Sequence, residues 1–271
     1  VKNIMQNADS PLSARTRAQH LERMLLYAVD NVPYYRQFKG FTSLTSFPVI
    51  NKGIMKAAYA DFRSPEYAAG EKLVRLHSSG STGMPFFVSQ DRNKRNRVYA
   101  EMLYFWGKAG YRIGMRYVFF RLWSEDNRKS RLTAWARNLV MWDIQQLDEG
   151  NLANIRSMLR SDRRIRMLIG YASTLETLAD YLESCGDTPD HFRYDLILSG
   201  SEILTESARA RIRQVFGCPV VSVYSNQENG LLAAECPQCR EVHLNDASYQ
   251  IELLKFDSDQ PAAAGELGRI V

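Results

Sequence analysis

Long apolar runs are missing from this sequence. No stretch approaches the roughly 18 to 20 residues needed to span a bilayer, and no short apolar core follows the N-terminus. Membrane insertion and secretion are therefore not indicated, and a cytoplasmic location is expected. Cysteine is also sparse. Cys185, Cys218, Cys236 and Cys239 are too few to staple a chain of 271 residues, and a Cys-x-x-Cys among them favours metal or redox chemistry over a disulfide framework. Internal repeats, low-complexity tracts and any Ser-His-Asp or paired-carboxylate arrangement are lacking as well. What is present is ordinary for a globular protein, with 45% hydrophobic and 24% charged residues and a mean hydropathy of −0.34, which excludes disordered and collagen-like classes.

Charge is unevenly spread. The net charge is +5, yet residues 91–166 carry 17 Lys and Arg against 8 Asp and Glu, whereas residues 167–271 carry 7 against 16. The basic excess follows helix-like and strand-like stretches without an RNP, zinc-finger or basic-arm pattern, so no nucleic-acid partner is expected. The chain opens on Val1 and closes on Gly265–Val271, an apolar run that reads as the start of a strand. A fragment of a longer protein is expected.

Periodicity organises the rest. Leu21, Met24, Leu25 and Ala28 fall at helical spacing within residues 11–30, ahead of the Asn31-Val-Pro33 stop. Phe47–Gly53 reads as an extended segment leading into a second helix. Leu73–His77 and Phe86–Ser89 read as strands that grip a Ser/Gly-rich loop. A helix over 91–109 precedes a strand over Arg116–Trp123. Beyond it, helices over Leu147–Leu159, Ser173–Leu182 and Thr205–Phe216 alternate with strands over Met167–Gly170, Leu196–Ser199 and Val220–Tyr224. Such alternation predicts an α/β fold with a parallel-type sheet flanked by helices. Ala233–Phe256 reads as strand-rich. Three stretches are expected: an N-terminal helical segment over 1–70, an α/β subdomain over 71–195 and a second α/β subdomain over 196–271.

The sharpest local feature is His77-Ser-Ser-Gly-Ser-Thr-Gly-Met-Pro85. Two glycines three apart let the backbone turn with its amides inward, and the hydroxyls add donors, a composition suited to cradling phosphate. A polar hairpin loop without a ligand has the same composition. No Walker A lysine follows.

This loop resembles the phosphate-binding loop of the adenylate-forming enzymes, usually Ser-Ser-Gly-Thr-Thr-Gly-Lys-Pro. Ser78, Ser79, Gly80, Thr82, Gly83 and Pro85 match, Ser81 exchanges one hydroxyl for another, and Met84 replaces the lysine. Two further segments fit the same superfamily, Leu196-Ile-Leu-Ser-Gly-Ser-Glu202 and Val220–Gly230. The resemblance implies that Gly200, Ser201 and Glu202 line an adenine pocket with their backbone. Tyr224–Glu228 falls on a Tyr-Gly-x-Thr-Glu motif, so Tyr224 would stack on adenine, Ser225, Asn226 and Gln227 would border the nucleotide, and Glu228 would hold Mg2+. Ser225 and Gln227 depart from the usual Gly and Thr. Val32-Pro-Tyr-Tyr-Arg36, Phe47–Lys52 and Gly170–Ala179 resemble the phenylacetate-CoA ligase branch, most of all coenzyme F synthetase-like proteins of capsular or surface-polysaccharide biosynthesis.

The resemblance implies the large N-terminal domain of an adenylate-forming enzyme with its C-terminal lid absent, Thr82 and Glu228 as catalytic residues, and ATP, Mg2+ and CoA as cofactors or co-substrate. The expected partner is a small carboxylic acid, a homodimer being left open. A degenerate nucleotide-binding protein is the competing class, motivated by Met84, Ser225 and Gln227. A third class, a zinc-stabilised interaction module, rests on Cys236, Cys239 and His243. Two thiolates and an imidazole at that spacing suit the tetrahedral preference of zinc, although reduced surface cysteines and a hydrogen-bonded histidine would look alike. Cys218 is a weaker local ligand. Arg128–Arg131 reads as a solvated basic loop, and His20 and His191 have no partner in the pattern.

Overall fold

The computed structural model describes residues 10–68, 73–78, 86–125 and 127–271. They fall into two compact units, Val1–Tyr99 with Leu244–Val271, and Ala100–His243. This grouping differs from the three expected stretches, because strands on both sides of residue 195 share one sheet and the segment from Leu244 onward bonds to helices near the N-terminus.

The first unit begins with helix α1 (Pro11–Asn31), where the Ser10 side chain accepts from the Ser13 amide, an N-cap worth about 1 kcal/mol. Pro33 then starts a 3-10 turn over Pro33–Phe38. Helix α2 (Lys52–Ala57) is capped by Asn51, and a short helix α3 (Pro65–Ala68) follows. Tyr34 stacks on Phe62 with centroids 4.1 Å apart, while Tyr35 and Phe38 pack on Phe47 at 6.0 and 5.5 Å. The two sequence signatures at 32–36 and 47–52 thus meet in one aromatic cluster, the type of contact that adds to simple area burial. Strands β1 (Val74–Ser78) and β2 (Phe86–Gln90) pair antiparallel, with Ser78 opposite Phe86.

Helix α4 (Arg92–Ala109) starts in this unit. Arg97 donates to Ser248 Oγ at 2.9 Å and to the Ala247 carbonyl at 2.6 Å, and Lys94 Nζ donates to the Tyr249 hydroxyl at 2.7 Å. These bonds tie residues 244–271 to the N-terminal segments.

The second unit holds strand β3 (Arg116–Arg121), helix α5 (Arg131–Ala136), strand β4 (Leu139–Asp143), helix α6 (Glu149–Ser161), strand β5 (Ile165–Gly170) and helix α7 (Ala172–Ser184). Strand β6 (Leu196–Gly200), helix α8 (Glu206–Phe216) and strands β7 (Val220–Asn226), β8 (Gly230–Glu235) and β9 (Val242–Leu244) complete the order. The chain returns to the first unit with a small antiparallel pair, β10 (Leu253–Leu254) and β11 (Arg269–Ile270). Of the strand-rich stretch expected over Ala233–Phe256, the part beyond Leu244 contracts to those two residues of β10.

Strands β3 to β9 form one sheet in the order β4-β3-β5-β6-β7-β8-β9. From β4 to β7 every pairing is parallel, and β8 is antiparallel to β7. The expected parallel-type architecture is present. Helices α6, α7 and α8 cover one face through Ile155 and Leu159, Leu175, Leu178 and Leu182, and Ile212 and Phe216, spaced at the helical period. The other face carries Tyr117, Met167, Ile169, Leu196, Leu198 and Val221, packed by Trp106 and Ala109 of α4. Burial on both faces explains why these strands read as continuous apolar runs.

Local signals set the helix ends. Asp148 caps α6 and Thr205 caps α8. Gly217 ends α8 at φ +66, and a Cβ there would lie 2.8 Å from Pro189 Cβ, so both conformation and space call for glycine. Asp187, with its carboxylate fully buried, takes Arg156 at 2.6 Å and Arg160 at 2.7 Å. His191 acquires a partner that the pattern had not shown, its Nδ1 accepting from the Thr188 amide at 3.0 Å. Helix α5 and strand β4 were not expected, and Ser130 of the anticipated basic loop caps α5. Among the described residues no helix is long and apolar enough to cross a membrane.

Candidate active site

In an open parallel sheet the strand carboxyl ends leave backbone groups and helix N-termini facing a common crevice, the usual place for a ligand. In the second unit that edge is built by β5, β6 and β7. Strand β6 ends at Gly200, where a Cβ would lie 3.2 Å from Val223 Cγ2 on β7, so glycine lets the two strands stay close. Ser201 then takes φ +67, a left-handed conformation uncommon outside glycine and a form of strain that clusters at functional sites.

Glu202 turns back from there. Its carboxylate accepts from the Ser173 amide at 2.8 Å, at the first turn of α7, where Tyr171 supplies no side-chain cap of its own. The negative charge suits the positive end of the helix. Glu202 thus positions the Gly200–Glu202 turn through its side chain, a role the sequence reading, which assigned its backbone to an adenine pocket, did not include.

Strand β7 carries Tyr224, Ser225 and Asn226, and the turn to β8 carries Gln227, Glu228 and Asn229. The register slips between Tyr224 and Ser225, which pair with Ala233 and Leu231. Such a bulge re-aims side chains beside a site. Asn226 Oδ1 accepts from the Asn229 amide at 2.7 Å and closes the turn. Tyr224 is 49% exposed, which leaves a ring face open, and Glu228 is half-buried. Residues 200–202 and 224–228 are brought onto neighbouring strands, as Gly200 pairs with Val223.

In the other unit, Ser78 ends β1. Ser79, Gly80, Ser81, Thr82 and Gly83 of the expected phosphate loop, with Met84 and Pro85, lie outside the described residues. The strands flanking the loop are those expected.

The Cys/His cluster converges in space. Cys236 Sγ, Cys239 Sγ and a His243 ring nitrogen lie within 4.8 Å of one another, with Cys239 Sγ 3.5 Å from His243 Nε2. The tight turn is closed by Arg240 N–H donating to the Cys236 carbonyl at 2.7 Å. Amide donation from Cys239 and Gln238 lowers the Cys236 thiol below its ordinary value, which favours the thiolate that binds metal. The donor set and its compactness fit a zinc ion. Cys218 does not join it. That thiol is buried beside Tyr194 and pushed up to about 12, mainly by burial.

Sequence reasoning missed what holds this region together. Arg209 on α8 reaches the Glu235 carboxylate at 2.8 Å, and Glu235 also accepts from the Ser222 amide at 3.0 Å. Arg and Glu at distant positions carry no local signal.

No family model matches the chain. It is 25% identical over 271 aligned residues to phenylacetate-coenzyme A ligase of Thermus thermophilus, covering 93% of this chain and 59% of that protein. A phenylacetate-coenzyme A ligase of Pseudomonas putida is 24% identical over 279 residues, covering 94% of this chain and 61% of that one. The chain therefore spans about three fifths of the curated relatives it matches. Among solved structures, 2-hydroxyisobutyryl-CoA ligase in complex with 2-HIB-AMP and CoA superposes with a TM-score of 0.72 at 16% identity, over 95% of this chain and 60% of that one. ATP-bound MatB of Rhodopseudomonas palustris gives 0.53 at 17% identity, over 78% and 44%.

The chain has the fold of the N-terminal domain of adenylate-forming enzymes. Along most of its length the sequence is similar to phenylacetate-CoA ligases.

Proposed function

We propose that the protein adenylates a carboxylic acid with ATP and passes the acyl group to CoA. The observation that supports this most directly is the pair of adjoining strand ends, Gly200–Glu202 and Tyr224–Glu228, in a chain related along most of its length to acid-CoA ligases. Tyr224 offers an exposed ring for adenine. Ser78, Ser79, Gly80, Ser81, Thr82 and Gly83 would cradle the phosphates with backbone amides and hydroxyls. Glu228 would hold Mg2+, which when bound neutralises phosphate charge. The reaction needs no side-chain nucleophile: the acid's carboxylate attacks the α-phosphorus and pyrophosphate leaves, so the protein contributes positioning and charge stabilisation.

Cys236, Cys239 and His243 would carry structural zinc beside this hairpin. The signatures at 32–36, 47–52 and 170–179, similar to coenzyme F synthetase-like proteins, support a place in capsular or surface-polysaccharide biosynthesis. Met84, Ser225 and Gln227 favour one alternative, a nucleotide-binding protein without turnover. Pyrophosphate release by the full-length protein with a panel of carboxylic acids tests the reading. Acid-dependent release lost in Glu228→Gln supports it, and ATP binding without any such release leaves the non-catalytic alternative.

A further inference from the structure

Among the described residues, Arg121 at the strand edge has no carboxylate partner. Tyr117 and Phe119 of β3 point to the sheet face packed by Trp106 and Trp123, and strict alternation places Arg121, the last residue of β3, on that face too. Leu196 and Leu198 put Gly200 on the same face of β6, and Val221 and Val223 do so for β7. Arg121 therefore stands at the same carboxyl edge, on the same side, as the Gly200 turn.

Arg121 is half-buried, and its guanidinium lies 5.8 Å from the Phe119 centroid and 5.7 Å from that of Trp123. Among the described residues no carboxylate pairs with it. Other arginines near the sheet, among them Arg116, Arg156, Arg166 and Arg209, each hold a carboxylate. Asp143 is its neighbour in register on β4, but that carboxylate accepts from the Gln145 amide instead. Burial lowers the arginine's pKa, with only Tyr171 acting the other way. The ring faces attract the guanidinium without neutralising it, its partial burial still penalises the charge, and arginine suits planar, bidentate recognition of a carboxylate.

Resting on the adenylation reading above, we propose that Arg121 receives a second carboxylate of the acid substrate, so that the protein takes a short dicarboxylic acid. One carboxylate would be activated near β7 while the other is held at β3. Three strand spacings separate β3 from β7, about 14 Å, part of which the arginine side chain itself spans, leaving room for a short linker between the two carboxylates.

Glutarate and valerate, equal in chain length and differing in the second carboxylate, are the probes. Calorimetric titration of each into the full-length protein, alongside Mg·ATP titration, reads the two ideas separately. Glutarate is expected to bind about tenfold or more tightly than valerate, the range of a charge-assisted contact. That ratio should fall toward one in Arg121→Gln and be partly kept in Arg121→Lys. Equal affinities in the wild-type protein overturn the proposal without any variant, and a ratio that persists in Arg121→Gln overturns it as well. If Arg121→Gln weakens Mg·ATP instead of changing the ratio, the arginine serves the nucleotide and the proposal falls. Failure of the wild-type protein to bind Mg·ATP at all is the distinct result that removes the adenylation reading itself.

Discussion

Arg209 and Glu235 face one another at 2.8 Å with side chains only 10% and 8% exposed, a buried ion pair joining α8 to the β7–β8 hairpin. Arg209 also donates to the Val220 carbonyl at 2.5 Å, and the Ser222 amide donating to the Glu235 carboxylate closes the set. The residue after Glu235 is Cys236, so the same pair anchors one end of the Cys236–His243 turn and braces the strand that bears Tyr224.

Removing one partner strands the other charge in a buried place. Arg209→Met and Glu235→Leu are each expected to destabilise the protein by about 3–5 kcal/mol. The double variant should lose less than the sum of the two, because no orphaned charge remains. Urea unfolding of the three variants checks both statements, and additive losses would show that the residues do not act as a pair.

Thiol reactivity should separate the four cysteines. The lowered Cys236 thiol is expected to be alkylated first at neutral pH, and Cys218, buried and pushed up to about 12, to be modified only on unfolding. Mass mapping after timed iodoacetamide treatment reads the order. Added zinc should slow modification of Cys236 and Cys239 if the cluster binds it.

Asp162 gives a pH signature. Its hydrogen bond with the Arg164 side chain, with further help from the Arg164 backbone and Arg116, lowers the carboxyl to about 2. A depressed carboxyl contributes stability above its unfolded pKa and loses it as pH falls through the folded value. Asp162→Asn should therefore flatten the fall in melting temperature between about pH 4 and 2 and lower stability at neutral pH. The exposed position of Arg164 keeps the effect small, and added salt should reduce it further.

Tyr224 should matter to nucleotide more than to folding. With half its surface exposed, Tyr224→Ala is expected to leave the melting temperature nearly unchanged. It should weaken Mg·ATP binding by the equivalent of about 1–3 kcal/mol, the usual worth of a base stacked on an aromatic ring. Calorimetry on both proteins provides the comparison, and equal ATP affinities would remove Tyr224 from the nucleotide site.

The strands and helices of the second unit were legible because each is a short-range pattern. Leu175, Leu178 and Leu182 repeat at helical spacing, and Leu196–Ser199 is an apolar run of strand length between polar segments. Helix α5 and strand β4 were not legible. Leu132 and Trp135 of α5 remain 73% and 76% exposed, so no buried stripe marks the helix, and Leu139–Asp143 is brief. The order Gly200–Glu202, then Tyr224–Glu228, then Cys236–His243 was readable as motifs, since the residue types and spacing carry the chemistry.

Sequence alone therefore determined most strands and helices of the second unit and which side chains are candidate ligands, because those features depend on neighbours within a few positions. Tertiary structure alone decided the order β4-β3-β5-β6-β7-β8-β9, the pairing of Arg209 with Glu235 and the use of Glu202 to hold the start of α7. It alone placed Arg121 at the carboxyl edge of the sheet with no carboxylate beside it among the described residues. The physical reason is range: periodicity and capping are local, whereas burial and charge pairing are set by residues that meet only when the chain is folded.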